Sequence, residues 1–480
     1  MNAPFIWIGL PAVIGGLLFL LRVYRRTVNY LGIFISIWLS LAAWLLPIGE
    51  VVTMGNRAFR IEEQFLILGR SFTLLNSDRA VLILISFLLA LGLIGGLLAQ
   101  PRIGFVSFSF VFTALMIAAL AVEPFLYAAL LFEISVLLAV PFLSPSDQKP
   151  GSGIFRFLTF QSLGMPLILL AGWFLAGLEA SPGESDLVLR AGILIGVGLA
   201  FLLSVVPFHS WIPTLAGESE PYLVAFILFM FPAVVSIFGL GFLDRFVWMR
   251  DSQAVYFSLR IVGVLMIVVG GGWMSVEKHL GRMLGYAAIA ENGISLLAVG
   301  LGSRVGYLIF FWLMFVRIFS YMPWAVAVSR LNHHHQGELR LGKLWGRGYQ
   351  TPLAASMAVI GISSLLGLPL LAGYSARFAL WREVSSVAPT LAIAALVGNT
   401  GLLIGGLRAL NALFIPFEED ISFSPLSENP EEVRWNIRDN FFSLTLYLCW
   451  LLTMTAIGFF PQLYLSAIEK LLFIFERLSS

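Results

Sequence analysis

The feature that most constrains this chain is a recurrence. Apolar runs of about 20 residues follow one another from Pro4 to Pro461, separated by short polar connections. A run of that length, wound at ~1.5 Å per residue, forms a helix long enough to cross a bilayer. Hydrocarbon admits only helices or closed barrels as spanning structures, because every backbone donor and acceptor must be satisfied within the chain. The runs therefore predict an all-α, polytopic membrane protein with about 14 transmembrane helices. The composition agrees, with 59% of the 480 residues hydrophobic and only 12% charged.

The spans read 4–21, 29–48, 80–99, 104–121, 125–143, 155–178, 187–206, 221–243, 255–274, 284–302, 305–329, 352–381, 390–415 and 441–460. The longest connections, 50–79, 332–350 and 418–440, are too short for a folded extramembrane domain, so 1–480 reads as one membrane domain. After Pro461, the segment 463–480 mixes Glu469, Lys470, Glu476 and Arg477 with apolar residues, which predicts an interfacial helix. Arg22, Arg25 and Arg26 follow the first run and no basic region precedes it, the reverse of a cleavable signal peptide. By the positive-inside bias, this places the N-terminus outside. A net charge of +2 gives no basis for nucleic-acid binding. The single Cys449 supports neither a disulfide framework nor a cysteine metal site.

Two runs are interrupted. In the first, Pro207, His209, Trp211 and Pro213 break an apolar stretch that begins at Ala200. The prolines remove backbone donors and clash with the preceding turn, so a helix entering the stretch breaks or kinks there. In the second, Gly367, Pro369 and Gly373 lie inside the run 352–381. Irregular backbone at membrane depth occurs where protein or a water-filled cavity satisfies the freed groups. Two broken helices, about five spans apart, predict an inverted repeat: five-helix units over 104–243 and 255–415 with breaks in helices 7 and 12. Membrane helices that merely tolerate Gly and Pro show the same residues.

Ionisable side chains inside spans cost at least ~2.5 kcal/mol on insertion scales and are functional candidates by default. Glu133 lies mid-span with no ionisable partner on its own helix, and a carboxyl held near neutral can load and release a proton. A hydrogen-bonded structural acid is the plainer alternative. Glu291, beside Asn292, is a second titrating carboxyl or a salt-bridge partner of Arg317. Arg317 and Arg377 cannot deprotonate at accessible pH, so they fix charge rather than relay protons, and Arg377 lies near enough to a span end to snorkel. His209 at the break either shuttles protons or caps carbonyls. Glu218 and Glu220 read as solvated loop charges, and Glu123 as interfacial. His333, His334 and His335 are consecutive and cannot share a helix face, so no metal site is expected there. No phosphate-binding glycine loop or metal motif appears, and no cofactor is expected.

Three motifs carry a resemblance: Pro207-Phe-His209-Ser-Trp211-Ile-Pro213, Arg282-Met-Leu-Gly-Tyr286-Ala-Ala-Ile-Ala, and Gly367-Leu-Pro369 with Gly373-Tyr. In this order they resemble the antiporter-like proton-translocating subunits of respiratory complex I, membrane-bound hydrogenases and Mrp antiporters. The resemblance implies a glutamate on the fifth span paired with a lysine on the broken seventh, then lysines onward to a lysine or glutamate on the broken twelfth. Glu133 fits the first position. Leu202 stands at the seventh-span lysine position and Met230 near the eighth-span one, Arg317 and Arg377 replace the later cations, and Glu291 takes a place often held by histidine.

The resemblance thus implies a subunit of a multisubunit complex I-like oxidoreductase in a prokaryotic inner membrane, with other membrane subunits as partners and no redox cofactor of its own. Proton movement would run through Glu133, Glu291 and the broken helices, with Arg317 and Arg377 setting the field. The missing lysines leave a second expectation open, a structural or coupling subunit that has lost conduction. A Mrp-like cation antiporter is a third.

Overall fold

The computed structural model describes residues 2–54, 57–67, 69–144, 149–180, 185–334, 339–415 and 437–478. A π turn, Phe5–Gly9, leads into α1 (Leu10–Leu20), followed by α2 (Arg25–Leu45), α3 (Arg79–Ala99), α4 (Phe105–Ala121), α5 (Ala128–Leu143) and α6 (Ser152–Ala180). Next come α7 (Ser185–Leu202), α8 (Trp211–Glu218), α9 (Pro221–Arg245), α10 (Val247–Arg250), α11 (Gln253–Val276) and α12 (Leu280–Val299). The chain continues through α13 (Arg304–His334), α14 (Pro352–Leu365), α15 (Ala372–Val387), α16 (Pro389–Phe414), α17 (Ile437–Phe459) and α18 (Gln462–Leu472).

Every predicted run holds one of these helices or a pair of them. Among the described residues, 8 helices are long and apolar enough to cross a membrane, or up to 9 if the pair bent by 78° between Phe459 and Gln462 is one span. The helical stretch Phe5–Leu20, α4 and α14 are apolar but shorter. Most of the predicted connection over 418–440 lies outside the described residues, as does His335.

The connection over 50–79 departs from an all-helical reading. It folds into two antiparallel hairpins, β1 (Val51–Met54) with β2 (Arg57–Arg60), and β3 (Gln64–Ile67) with β4 (Arg70–Thr73). A short strand β5 (Val122–Glu123) joins β4, with Ser71 opposite Glu123 and Phe72 opposite Val122.

The core centres on α9, whose residues from Pro221 to Val235 are all buried. A helix apolar on every side is stable only when surrounded, and α9 packs against α3, α4, α7, α8, α12 and α13. By contrast Trp38, Trp44 and Trp173, on helices nearer the outside, are exposed. In membranes, helices approach closely where residues are small. The α11–α16 contact is of this kind, since a Cβ on Gly271 would overlap the Gly398 carbonyl.

Packing recurs between the halves. In α4–α9 and again in α11–α16 the first helix packs on the second and the last, the second packs on the third, and the third packs on both pieces of the broken fourth. Hydrogen bonds between connections sort the loops into two faces. One holds the N-terminus and the hairpins, where Ala3 N donates to Glu62 O (2.8 Å), Arg70 donates to Tyr127 Oη (2.6 Å) and Arg477 N donates to Asp244 Oδ1 (2.9 Å). On the other, Arg25 donates to Pro101 O (2.6 Å), Gly153 N to Glu218 Oε2 (2.8 Å), Leu280 N to Leu339 O (2.9 Å) and Gly348 N to Leu413 O (2.8 Å).

Candidate functional site

The first break begins where α7 ends at Leu202. Ser204 takes a left-handed backbone (φ +56) and the Val206–Pro207 peptide is cis before the chain resumes as α8. The freed end of α7 is met from α6, where Gln161 Nε2 donates to Phe201 O (3.4 Å) and Ser204 Oγ (3.3 Å). The expectation for Pro213 needs correcting. It lies in the first turn of α8, where backbone N–H groups have no intrahelical acceptor, so it starts a helix rather than breaking one.

The second break follows α14. Gly367 (φ +74) and Leu370 (φ +75) reverse the chain around Pro369, and α15 starts at Ala372. Ser320 on α13 and Ser364 at the end of α14 share a hydrogen bond (2.7 Å), and Gly373 N donates to Ser364 Oγ (3.2 Å). A Cβ on Gly373 would collide with the Ser364 carbonyl, so the two helix pieces close on each other only with glycine there. Gly367 serves twice, because a side chain there would also meet the aliphatic stem of Arg377.

This break delivers Arg377 to the centre of the second half. Its Nη2 bonds Glu291 Oε1 on α12. Arg317 on α13 donates from Nη1 to Asn292 Oδ1 (2.9 Å) and from Nη2 to the carbonyl of Ala288, one turn earlier on α12 (3.4 Å). Tyr321 lies beside it, its ring centroid 5.9 Å from the guanidinium carbon and its hydroxyl donating to Leu284 O (3.1 Å). Glu291, Arg317 and Arg377 are exposed by only 5%, 6% and 4%, and among the described residues they are the charged side chains buried to this degree. The expected salt bridge of Glu291 with Arg317 is not formed, since Glu291 pairs with Arg377, and Arg377 points into protein rather than snorkelling.

Glu133 stands apart, half-buried on α5. Its Oε1 accepts from Ser162 Oγ on α6 (2.7 Å), while the buried Oε2 has no partner. His209 is half-buried on the segment joining α7 to α8, and its buried Nδ1 is likewise unpartnered. Leu202, at the position where the resemblance expects lysine, is buried against Gly164, and Met230 is fully buried in α9.

Glu220 is not a solvated loop charge, whereas Glu218 is exposed at the end of α8. Glu218 accepts from Gly153 N and Ser152 Oγ at the start of α6. Glu220 caps α9 by accepting from Tyr222 N (3.2 Å) and Leu223 N (2.8 Å), and Ser329 Oγ on α13 donates to it (2.8 Å). Sequence reading passed over Ser162, Gln161, Ser320, Ser364 and Tyr321. Only Ser320 and Tyr321 carried a usable signal, since they share a helix face with Arg317 at spacings of three and four.

A family profile described as NADH:quinone oxidoreductase/Mrp antiporter, transmembrane, matches residues 170–403. That region includes both breaks, His209, Glu291, Arg317 and Arg377, and stops short of Glu133. Subunit N of NADH-quinone oxidoreductase from Rhodococcus opacus is 28% identical over 228 residues, 45% of this chain and 41% of that protein. The chain spans about half the length of the curated relatives it matches. Among solved structures, a chain of respiratory complex I from Thermus thermophilus superposes with a TM-score of 0.72 at 18% identity, covering 99% of each chain. A chain of the Mrp complex from Dietzia gives 0.74 at 15% identity, covering 100% of this chain and 99% of that one. In sequence and in fold, this chain resembles the antiporter-like membrane subunits of these systems, and it is a multi-pass membrane protein.

Proposed function

We propose that the chain is an antiporter-like membrane subunit of a multisubunit, complex I-like oxidoreductase in a bacterial inner membrane, and that it contributes to proton translocation there. The relatives matched in sequence are membrane subunits of NADH-quinone oxidoreductases, which favours that assembly over a stand-alone antiporter. The observation that carries the reading is the buried Glu291–Arg377 pair with Arg317, reached through a helix break inside the family's transmembrane region. Charged groups at membrane depth are expensive, so such a cluster belongs to an ion path or its control. The two five-helix units act as repeats, each with one broken helix whose freed ends are held by the third helix of its unit.

Within this role the residues divide. Arg317 and Arg377 hold fixed positive charge and carry no proton themselves. Glu133, with one carboxylate oxygen free of partners, is the group that loads and releases a proton, and Ser162 orients it. Other chains of the assembly would supply electron transfer and quinone chemistry. A second reading, a coupling subunit without conduction of its own, is favoured by Leu202 and by arginines at both cation positions.

Proton uptake by liposomes containing the assembled complex separates the two. Glu133→Gln is expected to lower the number of protons moved per electron while leaving electron transfer intact. An unchanged ratio would reject conduction through this subunit and leave the coupling role.

A further inference from the structure

The buried cluster does not balance its charge. Among the described residues, the least exposed charged side chains are Glu291, Arg317 and Arg377, one anion against two cations. They form one group, because Arg377 bonds Glu291, Arg317 bonds Asn292, and Glu291 and Asn292 are consecutive on α12. Three buried donors of this group make no hydrogen bond: Arg317 Nε, Arg377 Nη1 and Asn292 Nδ2. Neither arginine can relieve the excess by losing a proton. Buried charges are paired and buried donors are satisfied, so an excess cation with three idle N–H donors calls for an anion as their partner.

We propose that the Glu291–Asn292–Arg317–Arg377 cluster binds one small monovalent inorganic anion, of which chloride is the representative. The ligand must be negative to match the excess charge. It must be small because the surrounding side chains are themselves buried. It needs no proton donor of its own, since every idle group offers hydrogen and none accepts. Bound there, the anion brings the cluster to neutrality and lowers the positive barrier that two fixed guanidiniums place on the mid-membrane axis. The inference does not depend on conduction through Glu133.

The test uses the purified complex with radioactive chloride, at constant ionic strength made up with gluconate. Wild type should bind chloride saturably, and it should melt at a higher temperature in chloride or bromide than in gluconate. Asn292→Asp attaches a carboxylate beside Arg317 and supplies the missing charge covalently, so it should lose one chloride per complex and melt alike in all three salts. Arg317→Gln removes the excess cation and should do the same. Because Asn292→Asp adds a balancing charge, it separates loss of the site from loss of the fold. Equal chloride binding by wild type and a folded Asn292→Asp complex would overturn the proposal, leaving ordered water as what meets the idle donors.

Discussion

The guanidinium of Arg377 bonds the carboxylate of Glu291 across 86 residues of sequence, with both side chains buried. Removing one member of such a pair strands the other charge in protein, which costs about 3–5 kcal/mol, whereas replacing both by apolar or neutral groups is often nearly neutral. Glu291→Gln and Arg377→Met are therefore each expected to lower the melting temperature of the complex sharply, and the double variant to recover most of the loss. Thermal unfolding of the three variants in detergent checks this. Losses that simply add would mean that the two residues act separately.

Close helix approach at Gly271 sets a second expectation. A methyl group there overlaps the Gly398 carbonyl, and both partners are backbone of packed helices that cannot swing aside as a side chain can. Gly271→Ala should destabilise by about 1–3 kcal/mol, as overpacking does in well-packed cores. The neighbouring Gly272 faces open space, so Gly272→Ala is the matched control and should behave as wild type. Fluorescence-detected size exclusion of detergent extracts on heating would show the contrast. Equal profiles would mean that α11 and α16 can move apart without loss.

The helices were legible because hydrophobic length is a property of the sequence alone, and both interruptions were legible because Gly and Pro change backbone options locally. The pairing at the site was not. Whether Glu291 meets Arg317 or Arg377 depends on how far the break at Gly367 turns α15, and that is a tertiary outcome. Pro213 was misread because the same residue breaks a helix interior and starts a helix, and only the end of the preceding turn decides which. Glu220 looked like a loop charge because its partner Ser329, on α13, is distant in sequence.

His279 gives a pH-dependent prediction. It caps α12, with Nδ1 accepting from Arg282 N (3.4 Å), and its backbone bridges Arg340. Burial, joined by the nearby Arg282 and Arg340 guanidiniums, pushes its imidazole below the ordinary value of 6.5 against the opposing pull of Glu277. The folded state thus resists a proton that the unfolded chain accepts. The stabilisation is present above about pH 6.5 and fades as pH falls below it. Asparagine caps without titrating, so melting curves of wild type and His279→Asn should converge above neutrality and separate in acid, with wild type the less stable. Parallel curves at every pH would remove the imidazole from this role.

The sorting of connections into two faces predicts which residues share a side of the membrane. Arg70 to Tyr127 and Arg477 to Asp244 join the hairpin face, while Arg25 to Pro101 and Leu280 to Leu339 join the opposite one. Cys449 is the only native thiol, so Cys449→Ser provides a clean background for labelling. Leu66 and Asp251 are exposed on the hairpin face, and Lys149 and Gly342 on the other. In intact cells a membrane-impermeant maleimide should label Leu66→Cys and Asp251→Cys but reach Lys149→Cys and Gly342→Cys only after the membrane is opened. That orientation follows from Arg22, Arg25 and Arg26 lying behind the first helix, on the face expected to meet the cytoplasm. A complete reversal would invert the subunit and keep the two faces. Labelling of Leu66→Cys and Asp251→Cys from opposite sides would break the sorting itself, because β4, β5 and the end of α9 could then not line one cleft.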